Sequence, residues 1–242
     1  MSNKLKAISK ALNYRDWKSI SSSRLDAVIA ATGPAEWMDL ARVDAAAETV
    51  SELYGYVGQF KGDWIVSGGL GNDAEGRPIL YERSQRRNMI ERLKSHGVPE
   101  SQIVILEGRN NRDKVRELVR FMNDHPEKFM SPTDIPRYVG VASYPLDIAR
   151  WNLALHQAKD EDFVTQRYTE IIGIPISTKN RPLRDYFTRS PDWVAGATGL
   201  YRDAKLFEEK GFRNATSAPA STIHKLARAA NSEKPRQRFK DN

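Results

Sequence analysis

Four times along this chain a short apolar run stops at a small or acidic residue and gives way to a stretch whose apolar positions recur at helical spacing. The runs are Leu25 to Gly33, Asp63 to Gly69, Ile103 to Glu107 and Tyr138 to Ser143. Apolar character that is nearly continuous along a short segment marks strands buried on both faces, as parallel strands are. The stretches that follow are Ala35 to Tyr56, Pro78 to Ser95, Asp113 to Asn123 and Leu146 to Ala158. In the first, Met38, Leu40, Val43, Ala47, Val50, Leu53 and Tyr54 keep one helical face apolar, with Pro34 suited to the first turn; His96-Gly97 closes the second with glycine. This alternation predicts an α/β fold: a Rossmann-like parallel sheet of four or five strands with right-handed crossovers and helices on both faces. Ile171 to Ile176 is the candidate fifth strand.

The flanks read differently. Residues 1–22 are expected to hold an N-terminal helix from Lys4 to Ser21, with Leu5, Ile8, Leu12 and Trp17 along one face. Residues 23–178 make the Rossmann-like domain and 179–231 a smaller C-terminal helical lobe, with helical runs from Gly199 to Lys210 and from Ser221 to Ala230. Residues 232–242 are expected to be a basic disordered tail, since the segment is polar and broken by Pro235. Most of the net charge of +7 is concentrated at the C-terminal end: from Arg213 onward seven Lys/Arg stand against Glu233 and Asp241, which leaves the body nearly neutral. Nucleic acid is therefore not the expected partner, and Phe239 alone in the tail offers a base something to stack on.

No cysteine is present, which removes disulfides, thiolate metal sites and cysteine nucleophiles. The four histidines, His96, His125, His156 and His224, nowhere show the spacing of a zinc helix, so no protein-bound transition metal is expected. No apolar stretch approaches the roughly 18 residues of a membrane span, and the Met1-Ser-Asn-Lys-Leu-Lys start lacks a signal-peptide core. A soluble, cytoplasmic protein without a membrane partner is the expectation; oligomeric state is not readable.

In an open parallel sheet the ligand lies beyond the carboxyl ends of the strands, where consecutive connections leave in opposite directions. The residues there are Thr32-Gly33, Ser67-Gly68-Gly69-Leu70-Gly71-Asn72, Glu107 to Asn111, and Ser143-Tyr144-Pro145. Small residues let a ligand approach the backbone, and helix N-termini aim free N–H groups at it, which suits phosphate or carboxylate. Singly, each has a structural alternative. Gly68-Gly69-Leu70-Gly71 matches neither a dinucleotide fingerprint nor a P-loop and could be a plain strand-to-helix turn. Glu82 could simply pair with Arg86 four residues on, and Asn111 could cap a helix. Ser67 and Ser143 have no histidine placed to make a nucleophile of either.

Taken in order, Gly33, Arg42-Val-Asp-Ala-Ala-Ala-Glu-Thr-Val-Ser-Glu-Leu-Tyr54, Ile65-Val-Ser-Gly-Gly69, Glu82, His96-Gly-Val-Pro-Glu-Ser-Gln-Ile-Val-Ile105, Glu107 and Asn110-Asn111 resemble the YdcF/SanA/ElyC family over the span 25–158. In that family an arginine heads the first long helix, and a Ser-Gly-Gly strand end, a glutamate, a His-Gly-Val-Pro turn, an Asn-Thr pair and a Ser-x-x-His-x-x-Arg segment follow. Arg42, Ser67-Gly68-Gly69, Glu82, Asn111 and Arg150 fit those positions. The resemblance implies a Rossmann-like domain with an added helical part and a site at the strand ends. One cytoplasmic type of member is associated with S-adenosylmethionine, others with the bacterial envelope. Two positions depart from the pattern: Arg112 stands for the threonine and Asp147 for the histidine. If that histidine moves protons in relatives, this chain has lost the step or uses a carboxylate.

The expected ligand set is thus Gly33, Arg42, Ser67, Gly68, Gly69, Gly71, Glu82, Asn111, Ser143 and Arg150, with Glu82 and Asp147 as candidate catalytic residues. Arg42 and Arg150 would clamp an anionic group, the glycines would supply backbone donors, and Glu82 would accept from a ribose hydroxyl or face a sulfonium. The expected ligand is a small molecule, S-adenosylmethionine or an adenine nucleotide, on which an enzyme transfers or hydrolyses a group. The alternatives are a ligand sensor without chemistry and an accessory that touches nucleic acid through the tail.

Overall fold

The computed structural model describes residues 3–20, 25–33, 36–68, 80–108, 111–129, 137–161, 169–176 and 200–210. The chain opens with α1 (Asn3–Leu12), a two-residue edge strand β1 (Arg15–Asp16) and a 3-10 turn (Trp17–Ser19). Then come β2 (Leu25–Ala31) with α2 (Glu36–Tyr54), β3 (Asp63–Ser67) with α3 (Leu80–Ser95), and β4 (Ile103–Leu106) with α4 (Asn111–Asp124) and the short α5 (Pro126–Phe129). β5 (Arg137–Ser143), α6 (Pro145–Asp160) and β6 (Thr169–Pro175) follow, and residues 200–210 form a further helix, α7. No helix among the described residues is long and apolar enough to cross a membrane.

All six strands are parallel, in the order β1-β6-β5-β2-β3-β4. From β2 the chain steps outward through β3 and β4, then returns to the other flank of β2 and steps outward through β5 and β6. That reversal separates the connections above β2 and β5 and opens the crevice in which doubly wound sheets bind ligands. The expected fifth strand is β6. The Rossmann-like α/β class holds, with β1 as an added edge.

Side-chain alternation divides the sheet into two cores. Ile29, Ile65, Val139, Val141 and Ile171 face α4, α6 and α7, where Val115, Leu118, Ile148, Trp151 and Phe207 meet them. Val28, Trp64, Val66, Ile172 and Ile174 face the opposite way, onto Val43, Ala46 and Val50 of α2 and Met89 and Leu93 of α3. The helices of the steps towards β4, α2 and α3, therefore cover one face, and α4 of the return and α6 of the step to β6 cover the other, as right-handed crossovers demand.

The N-terminal helix differs from expectation, ending at Leu12 rather than running on to Ser21. Asn152 of the buried α6 donates its amide to Ala11 O at 3.2 Å and Lys10 O at 3.5 Å, which occupies the carbonyls that another turn would use. Arg15 and Asp16 then pair with Ile172 and Gly173 of β6, and Tyr14 lies where a Cβ on Gly173 would come within 2.3 Å of its ring. The chain thereby rounds the sheet edge. Ile8 packs into one core and Trp17 into the other, although their spacing suits a single helical face. The expected helix from Ser221 to Ala230 and the tail lie outside the described residues.

Candidate functional site

The hydrogen-bond ladder continues one residue past the strands. Thr32 N donates to Ser67 O and Gly68 N to Leu106 O, both at 2.8 Å, so the ends of β2, β3 and β4 are held level. Gly68 has φ +108°, and a Cβ there would fall 2.2 Å from Thr32 Oγ1 and 2.8 Å from Lys114 Cε. Only glycine meets both the left-handed backbone and the close approach. Lys114, from the first turn of α4, lies across these strand ends and donates Nζ to Thr32 O at 2.5 Å.

At the crevice itself stands Arg42, in the second turn of α2 and 2% exposed. Its Nη1 donates to Ala31 O and Asp39 Oδ1 (both 2.9 Å), Nε to Ser143 Oγ (3.2 Å), and Nη2 to Asp147 Oδ2 (3.1 Å). Asp39 Oδ1 also accepts from Gly33 N at 2.6 Å. A Cβ on Gly33 would sit 2.2 Å from Arg42 Nη1, so this glycine is what lets the guanidinium reach the strand end. Asp147, in the first turn of α6, further accepts from Ser143 Oγ (3.2 Å) and from Asn111 Nδ2 (3.5 Å). Arg150 lies 3.8 Å from Asp147 Oδ1 and donates Nε to Asp203 Oδ2 of α7 at 2.9 Å, and Arg112 Nε approaches Asp203 Oδ1 at 3.5 Å. Charges alternate along this chain of contacts, Asp39, Arg42, Asp147, Arg150, Asp203, Arg112.

The two carboxyls that flank Arg42 are tuned in opposite directions. Burial pushes Asp39 up to about 6, against the pull of Arg42, the Gly33 N–H and Lys114. Burial acts on Asp147 in the same sense, but Arg42, Arg150, Lys114 and the Ser143 hydroxyl outweigh it and hold the group below the usual carboxylate range. Asp147 is therefore an ionised acceptor that orients its neighbours. Asp39 is, of the two, the carboxyl whose titration lies closer to neutrality.

No protein-family model, curated protein or solved structure matches the chain.

Gly33, Arg42, Ser67, Gly68, Asn111, Ser143, Asp147 and Arg150 thus converge at the crevice from six different elements and their ends. Gly69 and Gly71 lie outside the described residues, as does the side chain of Glu82, whose backbone is in the first turn of α3. The sequence assigns Arg42 and Arg150 to an external anion. In this structure their forks close on carboxylates of the protein itself, which makes them organisers of the site floor. Sequence reasoning did not select Asp39, Gln85, Lys114 or Asp203, and read Arg112 only as a departure. Their signal is positional: Asp39 stands four residues before Val43, and Lys114 four before Leu118, each on the buried stripe of its helix.

Three buried polar atoms at the strand ends have no hydrogen-bond partner among the described residues: Asp39 Oδ2, Gln85 Oε1 and Ser67 Oγ. Orphaned polar atoms are rare in folded proteins and expensive away from water.

Proposed function

We propose that this protein binds an adenosine-containing small molecule, an adenine nucleotide or S-adenosylmethionine, above the carboxyl ends of β2, β3 and β5, and transfers or hydrolyses a group on it. The observation that carries the proposal is the convergence at the sheet's topological reversal of a glycine-lined floor, a lysine laid across it and buried polar atoms that lack partners among the described residues. The adenosine class rests on the resemblance of Arg42, Ser67-Gly68-Gly69, Asn111 and Arg150 to the YdcF family.

A second reading, a ligand sensor without chemistry, is favoured by the state of Asp147. A carboxylate held ionised between Arg42 and Arg150 is a weak base near neutral pH and cannot stand in for a proton-shuttling histidine. Native mass spectrometry of the freshly purified protein, with calorimetric titration of ATP, S-adenosylmethionine and S-adenosylhomocysteine, tests the binding proposal. A retained adduct or saturable binding with one ligand per chain is expected; no binding of any of the three overturns it. Turnover of the bound ligand then separates enzyme from sensor.

A further inference from the structure

Asp39 and Gln85 reach the same residue, Gly33, from different helices. Asp39, from the first turn of α2, takes the Gly33 N–H on Oδ1; Gln85, from α3, points its amide nitrogen at Gly33 O, 3.5 Å away. Both residues are nearly inaccessible, at 0% and 1% exposed. Each is left with one oxygen that no described residue serves, Oδ2 on Asp39 and Oε1 on Gln85. Both helices pack on the same face of the sheet and on each other, so the two side chains reach Gly33, beyond the end of β2, from one side.

On the adenosine reading above, we propose that Asp39 Oδ2 and Gln85 Oε1 are the acceptor pair that holds the ribose hydroxyls of the ligand. Two unserved acceptors on side chains that meet at Gly33 suit a group with two donors, and vicinal hydroxyls supply them. An ammonium would also donate, but Arg42 already brings a full positive charge to 2.9 Å from Asp39, so a neutral donor avoids setting a second cation beside the first. Burial of Asp39 has the same consequence: its charged form is disfavoured there, and a hydroxyl bond onto Oδ2 offsets part of what desolvation costs. This moves ribose recognition from Glu82 to a residue of the first crossover helix and a partner on the second.

The test compares whichever of ATP and S-adenosylhomocysteine binds with its 2′-deoxy and 3′-deoxy forms, on the full chain, in the wild-type protein and in Gln85→Met and Asp39→Asn. Loss of a hydroxyl weakens wild-type binding by about tenfold or more, because a buried acceptor is left bare. Gln85→Met weakens binding of the parent ligand to a similar degree and abolishes the discrimination against one deoxy form, with an unchanged melting transition. Asp39→Asn does the same for the other. Should Asp39→Asn fail to fold for want of its ion pair, Gln85→Met decides alone, since Gln85 contacts no charged group among the described residues. Deoxy forms that bind like the parent, or a folded Gln85→Met that binds and discriminates like wild type, overturn the acceptor pair and leave the adenosine reading standing. If neither ATP nor S-adenosylhomocysteine binds wild type, both fall together.

Discussion

The two ends of the sheet use the same residue types for opposite purposes. At the amino ends of the strands, Asp26 bonds Arg137 (2.7 Å) and the Tyr138 N–H (2.9 Å), and Asp63 takes Lys128 on both oxygens (2.9 and 3.1 Å). These pairs tie neighbouring elements at a rim where the cationic partners are 29% and 43% exposed. At the carboxyl ends, Asp39, Arg42, Arg150, Asp203 and Arg112 are each under a tenth exposed, and they bond in series through Asp147, whose side chain is 27% exposed. Taking charges out of water costs more than pairing usually returns, so a rim gains a little from its ion pairs while an interior series is retained for what it positions. The lesson is that this fold concentrates its electrostatic expense at the reversal point of the sheet, where a ligand would sit.

The largest break in that contrast is Arg42→Met. The variant keeps much of the side-chain volume but leaves the buried Asp39 and the part-buried Asp147 without their shared guanidinium, and a loss of about 3–5 kcal/mol is expected in urea unfolding. A loss under about 1 kcal/mol would show that the carboxyls find other partners and that the carboxyl end is no costlier than the rim. Arg42→Lys retains the charge but not the four-way geometry, and falls between.

Next in size is Asp203→Asn. Asp203 links α7 to Arg150, 53 residues back along the chain, and to Arg112 on α4, while Leu200, Ala204 and Phe207 of the same helix pack into the core. Weakening that charge-assisted bond is expected to cost about 1.5–3 kcal/mol and to speed proteolytic cutting within residues 200–210. Unchanged cleavage would mean that apolar packing alone holds α7.

A third prediction uses pH. Asp39 titrates at about 6 when folded, above its reference of 3.8, so the stability it contributes is full below about pH 4 and is lost as pH rises through 6. His156, half-buried on α6 and close to Lys10 and Lys159, is pushed down to about 4 from 6.5; its contribution is full above 6.5 and is lost as pH falls through 4. In wild type the two slopes oppose each other between pH 4 and 6. Asp39→Asn removes one of them, and its stability should fall more steeply than wild type on acidification across that window, by up to about 1.4 kcal/mol per pH unit. His156→Gln should tilt the profile the other way. Parallel profiles for wild type and Asp39→Asn would show that Asp39 does not titrate there.

The sheet was legible because parallel strands covered by helices are apolar nearly throughout, and β2 to β6 all announce themselves so, although at the edge strand β4 Ile105 is left 47% exposed. β1 did not, because a two-residue edge strand carries no apolar signal; it exists through the fit of Tyr14 over Gly173. Of the site, Gly33, Ser67, Gly68 and Ser143 followed from lying at strand ends. Asn111 lies in the segment past the third strand and also fits the family likeness, Arg42 and Arg150 were reached through that likeness, and Asp147 as its departure. Asp39, Gln85, Lys114 and Asp203 escaped because a polar residue on an apolar stripe reads as a gap in the stripe until its partner is known. Those partners lie on other elements, and no spacing within one helix reveals them.

The smallest effect belongs to the rim and is the control for the whole contrast. Lys128 meets Asp63 at 2.9 Å, geometry as close as any pair in the interior series, yet its side chain is 43% exposed. If distance alone set the value of an ion pair, Lys128→Ala would cost as much as breaking the Arg42 contacts. If burial sets it, water and salt already screen the pair, the lysine gives up rotamer freedom to make it, and the loss is at most about 0.5–1 kcal/mol. The same variant should lose its difference from wild type near 1 M salt, where screening acts over about 3 Å, whereas the deficit of Arg42→Met should persist. A large, salt-resistant cost for Lys128→Ala would place the rim and the crevice in one electrostatic class and remove the energetic reason for singling out the carboxyl ends.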